Sequence, residues 1–174
     1  MNNINKIVII GGGLAGCEAA YQISKFNINV ELYEMRPKVK TEAHKTEYLA
    51  ELVCSNSFRS DDKEYNAVGV LHEELRIADS LIMKTADNNK VPAGSALAVD
   101  RDDFAKEINK TINSISNINV INQEVKDLNE FNDQIVIIST GPLTSKKLTE
   151  SIKIKTSENS LAFYDAIAPI VYKE

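Results

Sequence analysis

The stretch Ile7-Val8-Ile9-Ile10-Gly11-Gly12-Gly13-Leu14-Ala15-Gly16 decides the fold. Four β-branched residues in succession suit no amphipathic helix face and read as a short strand buried on both sides. Gly11, Gly13 and Gly16 then match G-x-G-x-x-G, and an apolar helical stripe of Ala19, Ala20, Ile23 and Phe26 follows. The glycines meet separate needs, with a tight turn at Gly11, backbone approach by a pyrophosphate at Gly13 and close helix–strand packing at Gly16. The helix that opens there aims unpaired N–H groups and its positive dipole end at bound phosphate.

Context strengthens the motif. Asn27 and Asn29 bracket a turn, and Val30 to Tyr33 reads as a second strand ending in Glu34. Glu34 stands 18 residues after Gly16, close to the spacing of about 20 expected for a carboxylate that binds a ribose hydroxyl. Strand, glycines, helix, strand and acid in this order predict a doubly wound, Rossmann-like α/β domain with a mostly parallel sheet. The acid indicates an adenosine dinucleotide with a free ribose and leaves NAD and FAD both open.

Working outward, Met35-Arg36-Pro37 ends the second strand. Residues 37–66 show no sustained period, and a loop of that length is usually functional or disordered. Its middle, Ala50 to Arg59, mixes apolar anchors with a thiol, hydroxyls, an amide and a guanidinium, a composition suited to ordering against a ligand. A helix is expected from Ala67, with Leu71, Leu75, Ala78 and Ile82 on its inner face and Glu73, Glu74 and Arg76 pointing away. Val91 to Gly94 is a turn, Ala96 to Val99 a short strand, and Asp100 an N-cap for a helix carrying Phe104, Ile108 and Ile112 inward. Two further strands are expected, around Val120-Ile121 and from Glu124 to Leu128.

Ile135 to Ile138 is another fully apolar strand, ending in Ser139-Thr140-Gly141-Pro142. Strands of this type end at ligand sites in parallel sheets, so Gly141 is a candidate to bring backbone close to a dinucleotide. The apolar run Leu161 to Tyr172 also reads as extended and is expected to continue in a longer protein. The chain thus divides into residues 1–60, a first βαβ unit with an active-site loop; 61–134, an inserted α/β segment; and 135–174, a return strand and the start of a further portion.

Bulk properties narrow the class. With 174 residues, 43% hydrophobic and 26% charged, this is ordinary globular composition. No run is long enough to span a bilayer. The first apolar run carries the glycine pattern and lacks a cleavage site, which argues against a signal peptide. Cys17 and Cys54 are the only cysteines, no disulfide framework, which suits a reducing cytoplasm. No metal-ligand set is assigned. A net charge of −5 argues against an extended nucleic-acid surface; the one local basic stretch, Arg36 to Lys45, reads as a solvated loop.

Further segments carry a specific resemblance: Gly11 to Ala20 (Gly-Gly-Gly-Leu-Ala-Gly-Cys-Glu-Ala-Ala), Val30 to Pro37 (Val-Glu-Leu-Tyr-Glu-Met-Arg-Pro) and Ala50 to Ser57 (Ala-Glu-Leu-Val-Cys-Ser-Asn-Ser). Asn66 to Gly69, Val91 to Arg101, Ser139 to Ser145 and Phe163 to Val171 continue it in one register. With these segments the chain resembles the N-terminal part of the folate- and flavin-dependent tRNA (uracil-5-)-methyltransferases, relatives of the glucose-inhibited division protein A group.

The resemblance implies an FAD enzyme that moves a methylene group from 5,10-methylenetetrahydrofolate to C5 of a uridine, in tRNA or alternatively rRNA. It is reduced there to a methyl by reduced flavin, which NAD(P)H recharges. Carried over, Gly11, Gly12, Gly13, Leu14, Ala15 and Gly16 hold the FAD pyrophosphate, and Glu34 holds the adenosine ribose. Cys54 is the candidate catalytic thiol; Arg59 or backbone amides are candidates to depress its pKa, and a small buried hydrophobe is its other reading. Cys17 is expected in the core. Relatives of this kind continue well past Glu174, so sheet edges left open here are expected to pair with another chain or stay exposed. A non-turnover dinucleotide-binding module and a simple NAD(P) or FAD oxidoreductase are the alternatives.

Overall fold

A computed structural model describes residues 4–41 and 43–157. Its main sheet is parallel, built from β1 (Lys6–Ile10), β2 (Asn29–Glu34), β6 (Ile118–Asn122) and β7 (Ile135–Ile138) in the order β6-β2-β1-β7. β1 lies centrally, and its side chains alternate between two cores. Ile9 packs with Cys17, Ala20, Phe104 and Ile108 on one face, whereas Val8 and Ile10 pack with Val125, Phe131 and Leu148 on the other. That double coverage explains the uninterrupted apolar run in its sequence.

Helix α1 (Leu14–Ser24) and helix α4 (Arg101–Ser114) cover the first face, and α5 (Lys146–Thr156) contributes Leu148 to the second. With helices on both sides the sheet is doubly wound, as expected. Asp100 caps α4 by accepting from the N–H groups of Asp102 and Asp103, each at 3.0 Å, and Phe104, Ile108 and Ile112 are fully buried.

A second sheet, antiparallel and three-stranded, is ordered β3 (Ser57–Ser60), β5 (Ala96–Val99), β4 (Lys90–Val91). Leu97 and Val99 of β5 join the same core as Phe104. Residues 61–134 were expected to form an insertion, yet β6 lies within them and extends the parallel sheet beside β2. The segment that departs from the main sheet therefore closes before α4.

Several local expectations are corrected. The single helix expected from Ala67 and closed by Asn88-Asn89 is two, α2 (Ala67–Ile77) and α3 (Leu81–Asn88), broken where Asp79 takes φ +54° and Ser80 caps α3. Leu71 and Leu75 do not face inward: they are 51% and 36% exposed, while Gly69 and His72 are buried. The reason is polar anchoring. Asp61 accepts from Arg76 Nη2 at 2.9 Å and pairs with His72 Nδ1 at 3.0 Å, so α2 is held by an ion cluster, and Arg76 points in, not away. A Cβ on Gly69 would sit 2.2 Å from Asp62 backbone atoms, so only glycine permits this approach.

The strand expected from Glu124 to Leu128 is absent. Residues 123–127 pair with no strand, and a 3-10 turn, Leu128–Phe131, follows, capped by Asp127. Phe26 is 76% exposed, because α1 ends at Ser24 and the chain reverses at Asn27 with φ +57°. β7 occupies the edge of the sheet among the described residues, which leaves Ile135 and Ile138 45% and 41% exposed. The apolar run at residues 161–172 lies outside the described residues.

Candidate functional site

The carboxyl ends of β1, β2 and β7 open into a cavity of about 340 Å³. Its floor is the glycine turn, Gly11 to Ala15; one wall is Glu34, Met35 and Arg36 with His44, another is Gln123 to Val125, and a third is Ser139 to Leu143. Ligands of open parallel sheets bind at this position.

Two glycines are fixed by steric demand. Gly11 has φ +109°, and a Cβ there would lie 2.8 Å from the carbonyl of Ser139. At Gly16 a Cβ would lie 1.8 Å from Gly11 O, so α1 can rest on the turn only without a side chain. Gly13 is different: nothing lies within 4 Å of its missing Cβ, and its open side faces a place where backbone is approachable.

The start of α1 is chemically distinct. Side chains of Asn66, Ser80, Asp100 and Ser145 cap α2, α3, α4 and α5, whereas Gly13 leaves α1 with no side-chain cap. Leu14 and Ala15 of that first turn line the cavity. Uncapped N–H groups at a helix N-terminus are an anion-binding arrangement.

Glu34 is buried beside this turn. Its Oε2 accepts from Gly12 N at 3.0 Å and its Oε1 from Arg36 N and Nε at 3.0 and 2.9 Å. Burial pushes its pKa up, but the hydrogen bonds and charge of Arg36 and the Gly12 N–H outweigh it and hold the carboxyl below its usual range. It is an ionised acceptor at the cavity wall. Gly141, with φ +58°, turns the chain after β7 and also lines the cavity. Ser139 Oγ lies 2.9 Å from Gly11 O and so ties β7 to the glycine turn.

Arg36 corrects the expectation of a solvated basic loop. It is 2% exposed and sits between Glu34 and Glu51, with Nη1 3.2 Å from Glu51 Oε2; Lys38, Lys40 and Lys45 are exposed. The sequence signal was an arginine two residues past Glu34 and followed by Pro37, but its second partner is 15 positions away and no local pattern shows it. His44 was not anticipated either. It lines the cavity half-buried, and burial, followed by the neighbouring Arg36 charge, lowers its pKa.

The cysteines differ. Cys17 is fully buried on α1, its thiol directed at Gly12 O, and burial pushes its pKa up to about 12. Cys54 is exposed, not the small buried hydrophobe of its alternative reading. Its neighbour Val53 lines the cavity and Cys54 itself does not. Arg59 is exposed and makes no hydrogen bond with Cys54 among the described residues. Iodoacetamide is therefore expected to label Cys54 and spare Cys17 in the native chain; comparable labelling of both, read by peptide mass spectrometry, would contradict the burial of Cys17.

No helix of the described residues is long and apolar enough to cross a membrane. The family model of glucose inhibited division protein A matches residues 6–174. The chain is 58% identical over 168 residues to the methylenetetrahydrofolate–tRNA-(uracil-5-)-methyltransferase TrmFO of Bartonella henselae, covering 97% of this chain and 36% of that protein. It is 56% identical over 175 residues to the protein of the same name from Bartonella bacilliformis and 53% over 174 to that from a Jannaschia species, covering 100% of this chain and 38% of each. The chain thus spans little more than a third of the length of these curated relatives.

Proposed function

We propose, because this chain belongs to the glucose inhibited division protein A family, that it is the FAD-binding portion of an enzyme that methylates C5 of a uridine in tRNA, with 5,10-methylenetetrahydrofolate as carbon donor. The reading rests above all on the uncapped start of α1, which faces a cavity walled by a buried, ionised Glu34. A diphosphate fits against the amides of Gly13, Leu14 and Ala15, where the helix provides donors and no competing side chain. Gly12 and Arg36 use three of the roughly four lone-pair sites of the Glu34 carboxylate, and the one left on Oε2 suffices to accept from a ribose hydroxyl. A 2′-phosphate there would meet a carboxylate, which favours a free ribose.

Bound in this cavity and reduced by NAD(P)H, the flavin would supply the two electrons that reduce the transferred methylene to a methyl. Gly141 lets the backbone after β7 approach the dinucleotide. Cys54 is the candidate nucleophile: its thiolate would add to C6 of the uracil ring, raising electron density at C5, or shield an activated carbon. Its exposure leaves it open to substrate. Two unpaired thiols among the described residues suit a reducing, cytoplasmic setting.

The test uses the full-length protein of which these residues form part. It is expected to purify yellow or to take up FAD on refolding, with Glu34→Ala retaining less flavin. A colourless protein after refolding with FAD would overturn the reading, and no methyl transfer to RNA with all co-substrates supplied would reduce it to a binding module. Cys54→Ala is expected to keep its flavin and lose methylation. Unchanged methylation would remove the thiol from the chemistry.

A further inference from the structure

A closed ring of contacts joins the cavity to the segment that carries Cys54. Gly12 N donates to Glu34 Oε2 at 3.0 Å, and Arg36 Nε donates to Glu34 Oε1 at 2.9 Å. Arg36 Nη1 continues to Glu51 Oε2 at 3.2 Å, and Ala50, the residue before Glu51, donates its N–H back to Gly12 O at 2.8 Å. Glu51 also gathers its own segment, accepting from Lys45 N at 2.8 Å, Thr46 N at 3.0 Å and Thr46 Oγ1 at 2.8 Å. Ala50 is buried with φ +54°, a conformation alanine adopts only where surroundings impose it. Gly12, Glu34 and Arg36 line the cavity, but Glu51 does not.

We infer that Arg36 and Glu51 are positioning residues that couple dinucleotide occupancy to the order of residues 45–54, so that the Cys54 thiol is held in place when the cavity is filled. The inference rests on the reading that a dinucleotide binds at Glu34. Arg36 is oriented by both carboxylates at once. Losing Glu51 frees one end of the guanidinium, loosens Glu34, and releases the carboxylate about which Lys45 and Thr46 fold. Linkage makes the effect reciprocal: if an ordered segment favours the ligand, the ligand favours the ordered segment by the same factor.

Full-length protein is compared with and without FAD, first as wild type. Trypsin cleavage after the exposed Lys45, followed by mass spectrometry, reports local opening of the segment. FAD is expected to slow that cut in wild type. Glu51→Gln is expected to bind FAD about tenfold more weakly, within the usual range of coupling between sites. Its cut after Lys45 should be faster and its protection by FAD largely lost. A purely structural role would lower the melting temperature and leave the protection ratio unchanged, which would overturn the inference. So would wild type that binds FAD while cleavage after Lys45 ignores it, a comparison that needs no variant. Wild type that takes up no FAD fails earlier, at the flavin reading itself.

Discussion

Gly16→Ala is expected to destabilise the chain by at least about 3 kcal/mol, more than most single substitutions. The added methyl would stand 1.8 Å from Gly11 O and 2.7 Å from Ser139 Oγ. The hydroxyl can rotate, but the carbonyl belongs to a turn pinned by Gly11 N donating to Tyr33 O at 2.8 Å and by Ser139 N donating to Ile10 O at 2.8 Å. The strain is relieved only by lifting α1 off β1. That withdraws Cys17 and Ala20 from the core they share with Ile9 and Leu32. Against a total stability of about 5–15 kcal/mol the loss is large. Gly13→Ala is the matched control. Its methyl meets nothing within 4 Å and its φ of −76° is ordinary for alanine, so stability should change by no more than about 0.5 kcal/mol. The methyl would occupy the space read as the phosphate approach, so flavin binding should fall there without unfolding. Denaturant melts and flavin titrations of both variants check this. A Gly16→Ala protein as stable as wild type would mean the close approach is dispensable.

That contrast marks what the sequence could convey. The glycine spacing, the β1 run and the Glu34 position are local and periodic, and each follows from one steric or electrostatic demand, so the first βαβ unit was legible. So was α4, where Asp100 and the Phe104, Ile108, Ile112 stripe agree. Elsewhere the deciding partner lies far along the chain. α2 turns its leucines outward because Asp61 and Asp87 hold Arg76, and a hydrophobic stripe gives no sign of that. β6 gives little sign of belonging to the main sheet because Asn119 and Asn122 interrupt Ile118, Val120 and Ile121, as befits a terminal strand half open to water. Cys54 stood out as chemistry, and only the folded chain shows that it lies outside the cavity wall. Arg36, by sequence one more solvated cation, is the centre of the most buried ion network beside the cavity.

Arg36→Ala is therefore expected to cost about 3–5 kcal/mol near neutral pH, the scale for removing one member of a buried ion network. The substitution leaves two carboxylates, Glu34 and Glu51, facing each other's field with their shared cation gone. Its pH dependence carries a sign that separates this cause from simple loss of volume. In wild type both carboxyls are held below their ordinary value of 4.5, against the upward pull of burial: Glu34 by Arg36 and the Gly12 N–H, Glu51 by the N–H groups of Lys45 and Thr46 and the Thr46 hydroxyl. A group with a depressed folded pKa contributes stability that is present above its unfolded pKa and lost as pH falls through the folded one. Wild type should accordingly hold its stability down to the carboxylate range and weaken only below it. In Arg36→Ala burial dominates at Glu34, its folded pKa rises above the unfolded value, and the sign reverses: stability is present below the unfolded pKa and lost as pH rises through the folded one. The gap between the two proteins should widen from about pH 4 to pH 7. Urea unfolding across that range measures it, and a gap independent of pH would reduce Arg36 to a space-filling role. Adding Glu34→Gln to Arg36→Ala should flatten the profile and recover part of the loss, since an amide at the same place carries no charge to strand.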